Sequence, residues 1–143
     1  MEREVEILIV EDDDGHAELI RTNLSRAGFK NGMHRFKDGQ EIVDFLFSGE
    51  PKTKKGYLML LDINMPKIDG TEVLRRVKTS ELYKTLPVIM LTTTDDPREV
   101  KRCHDLGCNS YVAKPVDYEE FIGAVQQLGL FLKIVEIPKT ERI

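Results

Sequence analysis

The sequence predicts a doubly wound α/β domain, and three observations carry that prediction. Short apolar runs alternate with longer amphipathic segments, the amphipathic segments open on acidic caps, and the chemically distinctive residues stand directly after the apolar runs. Runs this short read as strands buried on both faces. Strands separated by helices pair in parallel through right-handed crossovers, with helices on both sides of the sheet.

In chain order the strands are expected at 5–10 (interrupted by Glu6), 33–36 (the weakest run), 57–61, 88–91 and 111–113. The first helix spans 14–27, with Leu19, Ile20, Asn23 and Leu24 at helical spacing and Gly28 as its stop. Three later helices open on an Asp followed three residues on by Glu, at Asp38/Glu41, Asp96/Glu99 and Asp117/Glu120. Such an Asp accepts from exposed backbone N–H groups while the Glu complements the helix dipole. Pro97 falls where a missing N–H costs nothing. A further helix fills 71–79 and presents Val73, Leu74 and Val77. In the last helix Phe121, Ile122, Val125, Leu128 and Leu132 form the stripe that covers the sheet. Leu130, Ile134 and Ile137 form a second apolar face, which serves either contact with another chain or a tail folded back over its own domain. The polar segment 48–56 reads as a mobile loop, not a domain boundary.

A chain of 143 residues that is 41% hydrophobic and 32% charged supports one domain with a real core. Its formal charge of −4 argues against a nucleic-acid binder. The Lys- and Arg-rich stretches at 52–55 and 75–76 read as ordinary solvated surface. Acids at Glu2 and Glu4 oppose a secretory signal, and no apolar stretch approaches the ~18 residues of a membrane span, so a cytoplasmic protein is expected. Cys103 and Cys108 are too few for a disulfide framework. With His104 they fit no standard zinc spacing, and burial in helix packing is the expected role. His16 and His34 have no partner visible in the sequence.

Glu11, Asp12, Asp62, Thr92 and Lys114 each lie just after a predicted strand. In a parallel sheet all carboxyl ends share one edge, where ligands bind near the reversal of strand order. Clustered acids resist ionising together unless a cation neutralises them, and a hard divalent ion such as Mg²⁺ suits oxygen ligands. A carboxylate beside such an ion can attack phosphorus, while an ammonium and a hydroxyl hold the charge on the outer oxygens. Helix capping alone accounts poorly for Lys114, and for Asp62 standing well ahead of the next helix.

The motifs Ile7-Leu8-Ile9-Val10-Glu11-Asp12-Asp13, Leu60-Leu61-Asp62-Ile63-Asn64-Met65-Pro66, Asp69-Gly70, Pro87-Val88-Ile89-Met90-Leu91-Thr92 and Tyr111-Val112-Ala113-Lys114-Pro115 resemble, in order, the receiver domain of two-component response regulators. The resemblance runs from about residue 5 to 128. It implies a flavodoxin-like (βα)₅ fold with strand order 2-1-3-4-5, as receiver domain 1–128 followed by a helical extension and tail at 129–143 without an output domain. Asp62 would then be the phospho-acceptor from a histidine kinase or histidine phosphotransfer protein. Glu11, Asp12, Asp62 and the backbone carbonyl of Asn64 would hold Mg²⁺, the long arm of Glu11 through water. Lys114 and Thr92 would bind the phosphoryl oxygens, and Tyr111 would be the switch aromatic. Asn64 and Thr94 occupy positions that tune dephosphorylation in the family, and the bond before Pro115 resembles the family's cis peptide. The switched surface would be the fourth helix, fifth strand and fifth helix, offered to a downstream protein. The tail and the 48–56 loop also resemble stand-alone regulators of phytochrome-type kinases, which implies a homodimer.

Beyond its own phosphorylation and dephosphorylation, no enzymatic activity is expected. A haloacid-dehalogenase-type phosphohydrolase would need a general acid where Asn64 stands. A degenerate receiver that binds partners without phosphorylation would not need the full set of residues present here. Flavin binding is disfavoured because acids follow the first strand, where a phosphate would be repelled.

Overall fold

The computed structural model describes residues 5–29, 32–52 and 56–133. Ile134 and Ile137 of the second apolar face lie outside the described residues, as do three residues of the 48–56 loop. The elements are β1 (Val5–Val10), α1 (Asp14–Arg26), β2 (Met33–Phe36), α2 (Gly39–Phe47), β3 (Gly56–Leu61), α3 (Gly70–Lys78), β4 (Val88–Thr92), α4 (Pro97–Leu106), β5 (Ser110–Ala113) and α5 (Tyr118–Leu132). All strand pairs are parallel and the order is β2-β1-β3-β4-β5.

The caps expected from the Asp–Glu spacing form. Asp38, Asp96 and Asp117 accept from the backbone N–H of Glu41, Arg98 and Glu120. Asp13 and Asp69 cap α1 and α3 in the same way. Gly107 ends α4 at φ 106°, a left-handed conformation that costs glycine little.

Strand side chains alternate between two cores. Leu8, Val10, Met59, Leu61, Val88 and Met90 meet α2, α3 and α4 through Ile42, Leu46, Val73, Leu74 and Cys103. Ile7, Ile9, Leu58, Leu60, Ile89 and Leu91 meet α1 and α5 through Ile20, Leu24, Phe121, Val125 and Leu132. The central strand β3 is buried throughout, as its apolar run predicts. The run 111–113 is not: Tyr111 and Val112 are half-buried and Ala113 is exposed, because β5 is an edge strand with a neighbour on one side only. α5 passes residue 128 without a break and ends at Leu132.

Part of the 48–56 loop is held in place. The Tyr83 hydroxyl donates to the Leu46 carbonyl and accepts from the Lys52 N–H, both at 2.8 Å. Cys103 and Cys108 are free and buried, and burial pushes the Cys103 thiol up to about 11.

The sheet reverses direction of growth between β1 and β3, and the start of α3 is pressed against that point. A Cβ on Gly70 would collide with the Asp62 carbonyl and the Ile63 backbone. Backbone cannot yield as a flexible side chain can, so Gly70→Ala should destabilise the fold by about 1–3 kcal/mol. Urea unfolding measures this, and unchanged stability would contradict the packing.

Candidate functional site at the carboxyl edge of the sheet

Glu11 is the first residue after β1 and Asp62 the first after β3. The chain holds them side by side, because the Asp62 N–H donates to the Val10 carbonyl at 3.1 Å. Thr92 closes β4 and is fully buried. Lys114 follows β5, its backbone N–H donating to the Thr92 carbonyl at 2.6 Å. All the residues that the sequence places at strand ends therefore share one edge.

The Lys114 side chain is 1% exposed, and its Nζ lies 2.5 Å from Glu11 Oε1 and 3.4 Å from Asp62 Oδ2. Burial pushes the Glu11 carboxyl up to about 7; the Lys114 contact works against that rise and the Asp62 charge adds to it. One ammonium thus faces three acids. Asp12, the third, is exposed. Carboxylate oxygens of Glu11, Asp12 and Asp62 lie within 4.8 Å of one another. Asp62 Oδ1 is buried and has no hydrogen-bond partner among the described residues, a costly state for a carboxylate oxygen. An all-oxygen donor set, surplus negative charge and unused lone pairs together fit a hard divalent cation.

The switch candidates meet at Thr94. Its N–H faces Thr92 Oγ1 at 3.5 Å, its Oγ1 accepts from Asn64 Nδ2 at 3.0 Å, and its carbonyl accepts from the Tyr111 hydroxyl at 2.5 Å. Burial pushes the Tyr111 phenol up to about 12. Asn64 and Thr94, separated by a strand and a helix in sequence, are therefore in direct contact.

The structure corrects one expectation at the site. Among the described residues no peptide bond is cis, so the Lys114–Pro115 bond is trans. Trans is favoured before proline by about 0.5–1 kcal/mol, and the segment that follows, with Val116 and Tyr118 exposed, offers little packing to reverse that preference.

Two contributors escaped the sequence reading. Arg35, on β2, donates to the Glu11 carbonyl through Nε at 2.9 Å and Nη2 at 2.8 Å, and pairs with Asp14 at 2.9 Å. It ties down the acidic loop after β1. His16 has a partner after all: its Nδ1 lies 3.0 Å from Lys114 Nζ. His34 pairs with Glu6 at 2.7 Å. The only hint in the sequence was the acidic run 11–14, which calls for a nearby cation without saying which.

Residues 7–126 match the family described as the response regulator receiver domain. The chain belongs to that family. Similar solved structures include a receiver domain from Rhodospirillum rubrum, 43% identical, with a TM-score of 0.92 over 96% of this chain and 99% of that one. Response regulator Rcp1 of a Synechocystis strain is 30% identical over 92% of both chains. The Mn²⁺-bound form of Rcp1 superposes with a TM-score of 0.83, covering 94% of this chain and 99% of that one. The phosphorylated cyanobacterial phytochrome response regulator RcpA is 27% identical, with a TM-score of 0.83 over 96% of this chain and all of that one. The chain is thus a response regulator receiver of two-component signalling, homologous to stand-alone, phytochrome-associated regulators. Among the described residues no helix is long and apolar enough to cross a membrane.

Removing the site's ammonium would leave Glu11 and Asp62 buried without a counter-charge. Lys114→Met should therefore lower stability in metal-free buffer by about 3 kcal/mol. Added Mg²⁺ should restore more stability to the variant than to the native chain. Denaturant unfolding with and without Mg²⁺ checks both effects.

Proposed function

We propose that this receiver takes a phosphoryl group onto Asp62 from a histidine kinase or histidine phosphotransfer protein. The observation that carries the reading is the state of Asp62: one oxygen faces Lys114, and the other is buried without a partner among the described residues. A carboxylate oxygen of Asp62 attacks phosphorus, forming an O–P bond. The P–N bond of a phosphohistidine breaks, and its electron pair leaves with the imidazole.

Glu11, Asp12, Asp62 and the backbone carbonyl of Asn64 are the residues that would hold Mg²⁺. When bound, such an ion supplies positive charge to the oxygens of the transferring group. Lys114 pairs with a phosphoryl oxygen from its buried position, and Thr92 donates its hydroxyl to another. Movement of Thr92 disturbs the contact to Thr94, and through the Thr94 carbonyl it reaches Tyr111.

The helix beside this relay is weakly anchored. Cys103 is the one fully buried residue of α4, so a shift of α4 disrupts little apolar packing. Phosphorylation adds charge and acceptor oxygens, and the response falls on the α4–β5–α5 surface, where a downstream protein binds. A protein with this role works in the cytoplasm and catalyses only its own phosphorylation and dephosphorylation. Residues 129–132 continue the last helix beyond the receiver domain proper. The exposed Leu130 and Phe131 of α5 support self-association into a homodimer.

With a small acyl phosphate and Mg²⁺, the native chain should gain one labile phosphoryl group by intact mass, and Asp62→Asn should gain none. An adduct that persists in Asp62→Asn would falsify the assignment.

A further inference from the structure

Lys114 carries three N–H donors, and the structure sets three acceptors around them: Glu11 Oε1 at 2.5 Å, His16 Nδ1 at 3.0 Å and Asp62 Oδ2 at 3.4 Å. An ammonium has no lone pair, so His16 Nδ1 must be the acceptor and the imidazole proton resides on Nε2. His16 lies on the first turn of α1, half-buried, with its ring edge-on to Phe121 of α5 at 5.2 Å and 81°. Phe121 also lies beneath the ammonium, with Lys114 Nζ 5.9 Å from the ring centroid. The imidazole is thus held by packing while it holds Lys114.

We propose that His16 is a positioning residue for Lys114. His16 and Glu11 take two of the three N–H groups and fix the third toward Asp62. That third contact is the longest, so the N–H is held in direction yet available to an oxygen arriving on Asp62. Without the His16 acceptor the ammonium can rotate about its stem, and the pre-set orientation that favours transfer is lost. The inference rests on Asp62 as phospho-acceptor.

The test compares the native chain with His16→Leu, which removes the acceptor, and His16→Gln, which restores one on a side chain of similar reach. Two readouts apply: the rate of phosphorylation by acetyl phosphate with Mg²⁺, and the ¹⁵Nζ ammonium resonance of Lys114, which is visible only when its protons are held against exchange. His16→Leu should slow phosphorylation about tenfold, the scale of one hydrogen bond to a charged group, and lose the resonance; His16→Gln should keep both. Native behaviour in His16→Leu, or equal loss in both variants, overturns the proposal. A native chain whose His16 Nδ1 resonates as a protonated nitrogen also overturns it, whether or not either variant folds. If the native chain accepts no phosphoryl group, the acceptor reading fails, and the ammonium resonance still decides whether His16 orients Lys114.

Discussion

A single ammonium, buried at the carboxyl edge of the sheet, has to answer the carboxylates gathered there, and the geometry of the edge follows from that requirement. Lys114 follows β5 at one margin of the sheet, while Glu11 follows β1, with β3 and β4 between them. At about 4.8 Å per strand, the two backbones stand roughly 14 Å apart. Neither side chain spans that distance alone. A long basic arm from β5 meets a long acidic arm from β1, and their heads touch at 2.5 Å beside Asp62. This gives a physical reason for Glu at position 11: the shorter Asp would leave the buried ammonium further from its counter-charge. The water-bridged metal contact expected of Glu11 must coexist with this ion pair, since one of its oxygens is already taken by Lys114.

The strand and helix pattern was legible because its causes are local. Buried parallel strands require apolar runs, helix starts require acceptors for free N–H groups, and both requirements are written over a few adjacent residues. The site was legible one step further on, since parallel strands must bring their ends to one edge. The partnerships of Arg35 and His16 were not. Each joins residues from different parts of the chain, Arg35 to Glu11 and His16 to Lys114, and only the crossing of elements in space decides them. The contact between Asn64 and Thr94 belongs to the same class: two positions recognised separately proved to be one hydrogen bond. The partial exposure of β5 could not be read from Tyr111 and Val112 either, because an apolar run does not state how many neighbours its strand will have.

The same edge shows how a local event at Asp62 could reach a distant surface. Thr94 touches Thr92 through its N–H, Asn64 through its hydroxyl and Tyr111 through its carbonyl. Three contacts on one loop residue mean that a displacement of any partner redistributes the others. The loop leads within a few residues to the Asp96 cap and to α4, a helix with a single fully buried side chain. On the opposite side of the sheet, α5 is anchored by Phe121, Val125 and Leu132, and it packs closely enough on α1 that a Cβ on Gly129 would press on Ala27. Rigid and yielding helices thus flank the same site. Charge added at Asp62 would find little resistance toward α4 and much toward α1.

That asymmetry also bears on where Lys114 can go. Phe121 belongs to the well-packed α5 and His16 to the equally well-packed α1, so the two rings that border the ammonium are fixed by the rigid half of the molecule. Thr92 and Tyr111 connect instead, through Thr94, to the loop that leads to the sparsely buried α4. A phosphoryl group on Asp62 would therefore be gripped from one side by a cation whose position does not change. From the other side it would meet the Thr92 hydroxyl, which touches the loop leading to α4. A switch needs such a division, because a bound charge does work on a mobile element only if something else holds the charge still.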